Sequence, residues 1–421
     1  MPAPRAASNA ALLTADPLLT AHLRLLIGLP ARPPLRQAQC NKAIAATRPR
    51  PAKAGSVARR AVLPLLALLA LLGGCASQRP SAPAPTPVEI QADIASRLPS
   101  GVKDAPGWAR DIQVALTTQD IAPTAANVCA VIAIIGQESG FQADPAVAGM
   151  PKVARAEIDR RAAALHLPAL LVDAALDIRS PDGRSYGQRL RGARTEQDLS
   201  LIFEDFIGMV PLGNTLFGGL NPVRTAGPMQ VSVAFAQAHA QGYPYPATRG
   251  IRHETFTRRG GIWFGTRHLL GYPAAYDALI FRFADYNAGW YASRNAAFQA
   301  AVSRLTGIPL ALDGDLLLEA SPDPGETELA VRSLGSRLGL SEAAIRRDLA
   351  RGNDADFSET AVYRRVFSAA DQSAGAALPR GLVPHIKLHG PKITRPLTTA
   401  WFAGRVQTRW EQCMNRADKR R

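Results

Sequence analysis

Along most of the chain, apolar residues recur at the three- and four-residue spacing of a helix face, and strict apolar–polar alternation is scarce. The pattern predicts helices over 108–118, 124–138, 151–167, 195–209, 230–240, 254–270, 274–284, 291–305, 326–337, 341–351, 358–371 and 398–417. Helix-start chemistry supports three of them: Thr124 follows Pro123, Thr195 precedes the acids Glu196 and Asp198, and Ser341 sits where an N-cap belongs. The best short strand is "HIKLHG", 385–390, and no internal repeat stands out. The expected fold class is mostly α.

Two stretches break the helical pattern. Residues 59–75 read "RRAVLPLLALLALLGGC": an arginine pair, twelve uncharged and mostly apolar residues, then small residues and a cysteine. The run is short for a bilayer span and fits the charged and apolar regions of an export signal. Its ending resembles a bacterial lipobox, which implies cleavage before Cys75 and a lipid on the Cys75 thiol. Ala76 after the cysteine favours the outer membrane, by resemblance to enterobacterial lipoproteins. The following "ASQRPSAPAPTPVE" has little to pack and reads as a tether. Residues 1–58 are rich in Ala, Pro and Arg and read as a disordered extension or a misassigned start, with Val57 a candidate initiator.

Composition changes the picture only in part. The 421 residues are 47% hydrophobic and 20% charged, globular values with chain enough for one large domain or two smaller ones. The net charge of +15 misleads, because residues 1–75 hold ten Lys/Arg against Asp16 alone and leave +6 for the rest. That surplus suits anionic cell-wall polymers and does not single out nucleic acid. Of the cysteines at 40, 75, 129 and 413, only Cys129 and Cys413 would remain as thiols after processing. In an oxidising compartment a bridge between them is possible, and it would tie the C-terminus to the 124–138 helix. No Cys/His spacing fits a zinc site, and no cofactor is expected.

The chemistry gathers around that helix. The apolar run "VCAVIAIIG" ends in "QESGF", so Glu138 closes a buried-looking segment. A carboxyl group in apolar surroundings is paired, or it is pushed toward its protonated form. Three more short pieces follow in order: "TAGPMQVS" at 225–232, "GGIWFGTRHLL" at 260–270 and "FADYNAG" at 283–289. Together the four resemble the lytic transglycosylases related to goose-type lysozyme, over roughly residues 110–305. Glu138-Ser139 matches the family's catalytic Glu-Ser, Gly227-Pro228-Met229-Gln230 its groove-lining Gly-Leu-Met-Gln, Ile262…Gly265…His268-Leu269 the helix packed behind, and Asp285-Tyr286-Asn287-Ala288-Gly289 the segment facing the acid.

The resemblance implies a lysozyme-like helical domain that cleaves peptidoglycan glycan strands. Breaking a glycosidic bond needs a proton on the leaving oxygen, so one carboxyl must stay protonated near neutral pH. In this family the acetamido oxygen of the substrate stabilises the cation and its C6 hydroxyl attacks, so one Glu serves as acid and then as base. Glu138 takes both roles, and the product carries a 1,6-anhydro-muramoyl end. Tyr286 would orient Glu138 by a hydrogen bond, Ser139 would support substrate or backbone, and Met229 and Gln230 would contact sugar. Asn287 reads as a substrate-side residue or a brace for the turn before Gly289.

Departures from the family pattern also carry expectations. Gly227 lies 89 residues after Glu138, so residues 146–224 read as an inserted, largely helical block that could close over the groove. Pro228 replaces Leu and suits the first turn of a following helix. Gly261 replaces Asn. Asp285 replaces Ala; on the groove it would make true hydrolysis conceivable, although a solvent-facing charge is the blander reading. Other motifs rank lower. "GRSYG", 183–187, matches a nucleophile elbow but lacks the preceding apolar strand. His385 and His389 stand four apart without H-E-x-x-H. His253 and His268, with Arg252, Arg258, Arg259 and Arg267, read as a basic, solvated helix face.

The sequence therefore divides as 1–58, a signal at 59–75, a tether at 76–100, a lysozyme-like domain at 101–310 with its insert at about 146–224, and a helical C-terminal region at 311–421. The expected protein is a lytic transglycosylase lipid-anchored at the periplasmic face of the outer membrane. The alternatives are a glycan-binding lipoprotein without turnover and a lysozyme-type hydrolase.

Overall fold

A computed structural model describes residues 85–318, 321–388 and 396–418. The export signal, Cys75 and His389 lie outside the described residues. The chain is mostly α: eighteen helices and two short hairpin pairs among the described residues. None of these helices is long and apolar enough to cross a membrane.

The tether ends earlier than its composition implied. Helix α1, Pro87–Arg97, is closed at its start by a capping box in which Thr86 and Glu89 satisfy each other's backbone N–H. It buries Ile94 against α2, Ala105–Thr117. Helix α3, Ala125–Glu138, opens on Thr124, whose hydroxyl accepts from the Asn127 N–H. Val128 through Ile135 are all buried, so α3 is apolar on every side and forms the centre of the main core. Each large aliphatic side chain buried there contributes about 1.5–3 kcal/mol relative to exposure.

The insert holds α4 (Met150–Ala164), α5 (Ala169–Asp177), α6 (Tyr186–Gly192), α7 (Glu196–Gly208) and α8 (Gly213–Phe217). Of these, α5, α6 and α8 escape the sequence pattern. In α5 Val172 is buried and Leu176 packs against the insert's core, while Leu170 and Leu171 face outward, too sparse a stripe to read. The elbow-like "GRSYG" is a helix start: Ser185 caps α6 and exchanges bonds with Gln188. The insert keeps a small core of its own around Met150, Tyr186, Ala193 and Ile202.

Beyond it, β1 (Thr225–Ala226) and β2 (Val231–Ser232) form an antiparallel hairpin. Then come α9 (Val233–Ala238), α10 (Ile251–Phe256), α11 (Arg258–Leu270), α12 (Leu279–Ala288) and α13 (Ala292–Thr306). The expected 254–270 helix breaks at Thr257, which is extended, ends α10 and caps α11 through the Gly260 N–H. Pro228 lies in the hairpin loop, not in the first turn of a helix.

The far end builds a second core. Helices α14 (Glu326–Ser333), α15 (Gly335–Leu338), α16 (Glu342–Leu349) and α17 (Ala361–Ala374) pack with the distal part of α13, around Phe298, Val331, Phe357 and Val366. Strands β3 (Lys387–Leu388) and β4 (Leu397–Thr398) then pair, and α18 (Thr399–Asp418) returns to the first core. Residues 311–421 are thus shared between two cores. The Cys129–Cys413 disulfide fastens α18 to α3 across 284 residues.

Candidate functional site

Glu138 sits at the last turn of α3, half-buried and engaged with neighbouring groups. The chain turns sharply after it. Gly140 and Phe141 both take left-handed backbone, with φ of 57° and 64°. For Phe141 that conformation is strained, and the T-shaped packing of its ring on Trp108 helps to hold it. Ser139 is buried, and its N–H and hydroxyl both donate to the Ile135 carbonyl. It therefore closes the helix rather than facing a ligand.

The hairpin loop is held flat against α11 by missing side chains. A Cβ on Gly265 would lie 2.5 Å from the Met229 sulfur, and one on Gly261 would lie 2.4 Å from Pro228 Cδ. Gly227 has φ of 75°, and a Cβ there would meet the Thr255 carbonyl oxygen at 2.1 Å. Only glycine allows this approach. Gly261 is thus what seats Pro228.

This packing corrects two expected sugar contacts. Met229 is fully buried in the main core, so its side chain cannot meet substrate. Its carbonyl instead accepts the Tyr286 hydroxyl at 2.7 Å. Gln230, at φ 50°, folds its amide inward: Oε1 accepts from Thr225 and Nε2 donates to the Gly227 carbonyl. It remains half-buried.

Tyr286 lies next to Glu138. Its phenol is held well above its usual value, first by burial and then by the Glu138 charge. Its hydroxyl donates to the Met229 carbonyl, which fixes the ring beside that acid. The phenol oxygen keeps lone pairs with which to accept. Asn287 braces α18, since its side-chain oxygen accepts from the Thr399 hydroxyl at 2.9 Å. Asp285 faces neither groove nor solvent. It is fully buried and accepts from Tyr272 (2.9 Å), Tyr276 (2.7 Å) and the Ser293 N–H (2.7 Å), which fixes α12 to the start of α13. Burial raises its carboxyl against these bonds.

A cluster of rings adjoins Tyr286, and the sequence reading passed over most of it. His268 packs on Tyr286 (4.8 Å) and stacks on Phe235 (4.6 Å), which stacks in turn on His239 (4.0 Å). Trp290 donates its N–H to the His268 carbonyl and joins the cluster edge-on. Phe235, His239 and Trp290 are half-buried and keep part of their surface in solvent. Two signals were present: Phe235 and His239 stand four apart, and Trp290 directly follows "YNAG".

The expected basic helix face is dispersed by pairing. Arg258 bonds Asp104 and Asp111, Arg259 bonds Glu254, and His253 bonds Glu204 in the insert. Burial, with the nearby His239, lowers His268 to about 4, so its ring is neutral at ordinary pH. Among the described residues no three His, Cys, Asp or Glu side chains are grouped to hold a metal.

The family model described as "Protein of unknown function (DUF1615)" matches residues 101–416. The "Uncharacterized protein YaiW" of Escherichia coli (strain K12) is 54% identical over 354 residues, which is 84% of this chain and 97% of that protein. No solved structure matches.

Proposed function

The chain belongs to the DUF1615 family of unknown function, so its activity has to be argued from its own residues, and we propose that it is a peptidoglycan lytic transglycosylase, lipid-anchored at the outer membrane, with a lysozyme-like catalytic core. The observation that carries this reading is the convergence of Glu138, the Met229 carbonyl and Tyr286, which are far apart in sequence and come from three of the motifs read there.

Glu138 protonates the glycosidic oxygen between MurNAc and GlcNAc. The Tyr286 hydroxyl donates to the Met229 carbonyl, which fixes the ring beside Glu138 and leaves the single acid proton of Glu138 for the glycosidic oxygen. The acetamido group of the substrate covers the developing cation. Glu138, now a carboxylate, then takes the proton of the C6 hydroxyl as that oxygen bonds to the anomeric carbon. His239 and Trp290, held by the sandwiched Phe235, offer half-exposed ring surface on which the apolar face of a pyranose can lie. The three donors on Asp285 make it a structural acid, which weighs against a second catalytic carboxylate and so against lysozyme-type hydrolysis.

The test is mass spectrometry of purified sacculi treated with the protein or with Glu138→Gln. Anhydro-muropeptides should form with the native chain, and the variant should lose about 10²–10⁴-fold in rate while still binding sacculi. Reducing-end products would point to a lysozyme. Binding without cleavage by either protein would leave a glycan-binding lipoprotein.

A further inference from the structure

Between α3 and α18 lies a cleft of about 420 Å³, a size suited to a small ligand. Its floor is apolar: Pro99, Ile132, Ala133 and Phe141. Its wall is one face of α18, where Arg405 and Arg409 stand a turn apart. The Arg409 stem lies against α3 at Gly136, next to the Phe141 ring, with its Cδ 3.6 Å from where a Cβ would stand. Among the described residues no carboxylate pairs with either arginine, and the Arg409 guanidinium donates to the Arg405 carbonyl at 3.4 Å. Other arginines are satisfied in various ways: Arg155, Arg160, Arg184, Arg258, Arg332 and Arg380 have acid partners, and Arg294 and Arg365 bond backbone carbonyls. Like charges one turn apart oppose each other. Burial, and then Arg405, lower the Arg409 guanidinium below its usual value. Two unneutralised guanidiniums over an apolar floor form a receptor for an oxyanion joined to something apolar, and the forked donors of arginine match phosphate oxygens.

We propose that this cleft binds a phosphate group, carried by a phospholipid headgroup or free in solution, through Arg405 and Arg409. Its position supports the choice: Arg416, on the same helix face, donates to the Arg97 carbonyl at the end of α1, the helix that occupies part of the stretch read from the sequence as a tether, 76–100. The site is separate from Glu138, and the proposal does not depend on the transglycosylase reading.

The test uses the full chain in neutral detergent, titrated with inorganic phosphate, dihexanoyl-phosphatidylglycerol, dihexanoyl-phosphatidylcholine and acetate, and followed by calorimetry. Saturable binding of phosphate or phosphatidylglycerol should weaken at least tenfold in Arg405→Gln/Arg409→Gln. It should weaken as much in Arg405→Glu, a change at an exposed position that leaves the core intact. Arg155→Gln/Arg160→Gln, which removes two paired arginines elsewhere, should leave it unchanged. Phosphatidylglycerol bound more tightly than phosphate identifies a lipid headgroup as the source, and phosphate bound alone identifies the free ion; either supports the site. Acetate binding as tightly as phosphate, equal weakening by the Arg155/Arg160 variant, or no binding at all would overturn it.

Discussion

The hairpin–α11 contact and the inserted block lie next to each other and follow opposite rules. At the hairpin, three glycines let backbone and side chains approach until no Cβ fits, and every large apolar group there is buried. In the insert, a four-residue core supports five helices. Of the fourteen large apolar side chains exposed among the described residues, ten lie between 165 and 217. Leu170 is 78% exposed and Leu212 74%. The first region is packed so closely that a methyl group at any of the three glycines would meet a neighbour. The second spends its apolar residues on a surface, and such a surface contributes little to the stability of the chain.

The contrast can be broken most directly at Gly227. Gly227→Ala adds a methyl group at positive φ and against the Thr255 carbonyl. Unfolding titrations should show a loss of about 3–5 kcal/mol. A loss under about 1 kcal/mol would mean that the loop yields easily and that the tight contact is not what positions Tyr286.

The disulfide comes next. Cys129→Ser/Cys413→Ser should cost about 2–4 kcal/mol in urea midpoint measurements, because a 284-residue separation is then left unconstrained in the unfolded chain. Native protein treated with reductant should fall to the same midpoint. If both keep native stability, α18 is held by packing alone.

His268 gives a smaller, pH-dependent effect. Its folded value of about 4 lies below the 6.5 of an unconstrained histidine, so the unfolded chain takes up a proton first as pH falls. Stability should therefore be lost between pH 6.5 and 4, with a slope of up to about 1.4 kcal/mol per pH unit. Stability curves at pH 7 and pH 5 should differ less in His268→Gln than in the native chain. Equal differences would show that the ring is open to water. The smallest effect belongs to the insert: Leu170→Gln should change stability by less than about 0.5 kcal/mol in a thermal melt. A drop of 2 kcal/mol or more, on the scale of a buried leucine, would show that this face is covered.

Much of the architecture was legible locally. Thr124, Thr195 and Ser341 each cap the helix they were expected to start, because a cap needs only its own side chain and a backbone N–H three residues on. Glu138 and Tyr286 stand in separate motifs of the sequence and influence each other in the fold. Their roles were less legible. Met229 and Asp285 look polar-facing or substrate-facing by analogy, yet both are buried. No local pattern reports that Gly261 and Gly265 would admit the hairpin, or that Tyr272, Tyr276 and the Ser293 N–H would converge on one carboxylate.

What the sequence determined by itself is what nearest neighbours decide: the helical class, the helix starts, the apolar centre of α3 and the presence of one acid at its end. What only the tertiary structure decided is which groups meet across the chain. The Tyr286 hydroxyl donates to Met229, Cys129 meets Cys413, and Arg405 and Arg409 line one cleft. The physical reason is range. Propensity and capping act within a turn or two of the chain, whereas burial, charge pairing and close backbone approach depend on which helices the whole core brings side by side.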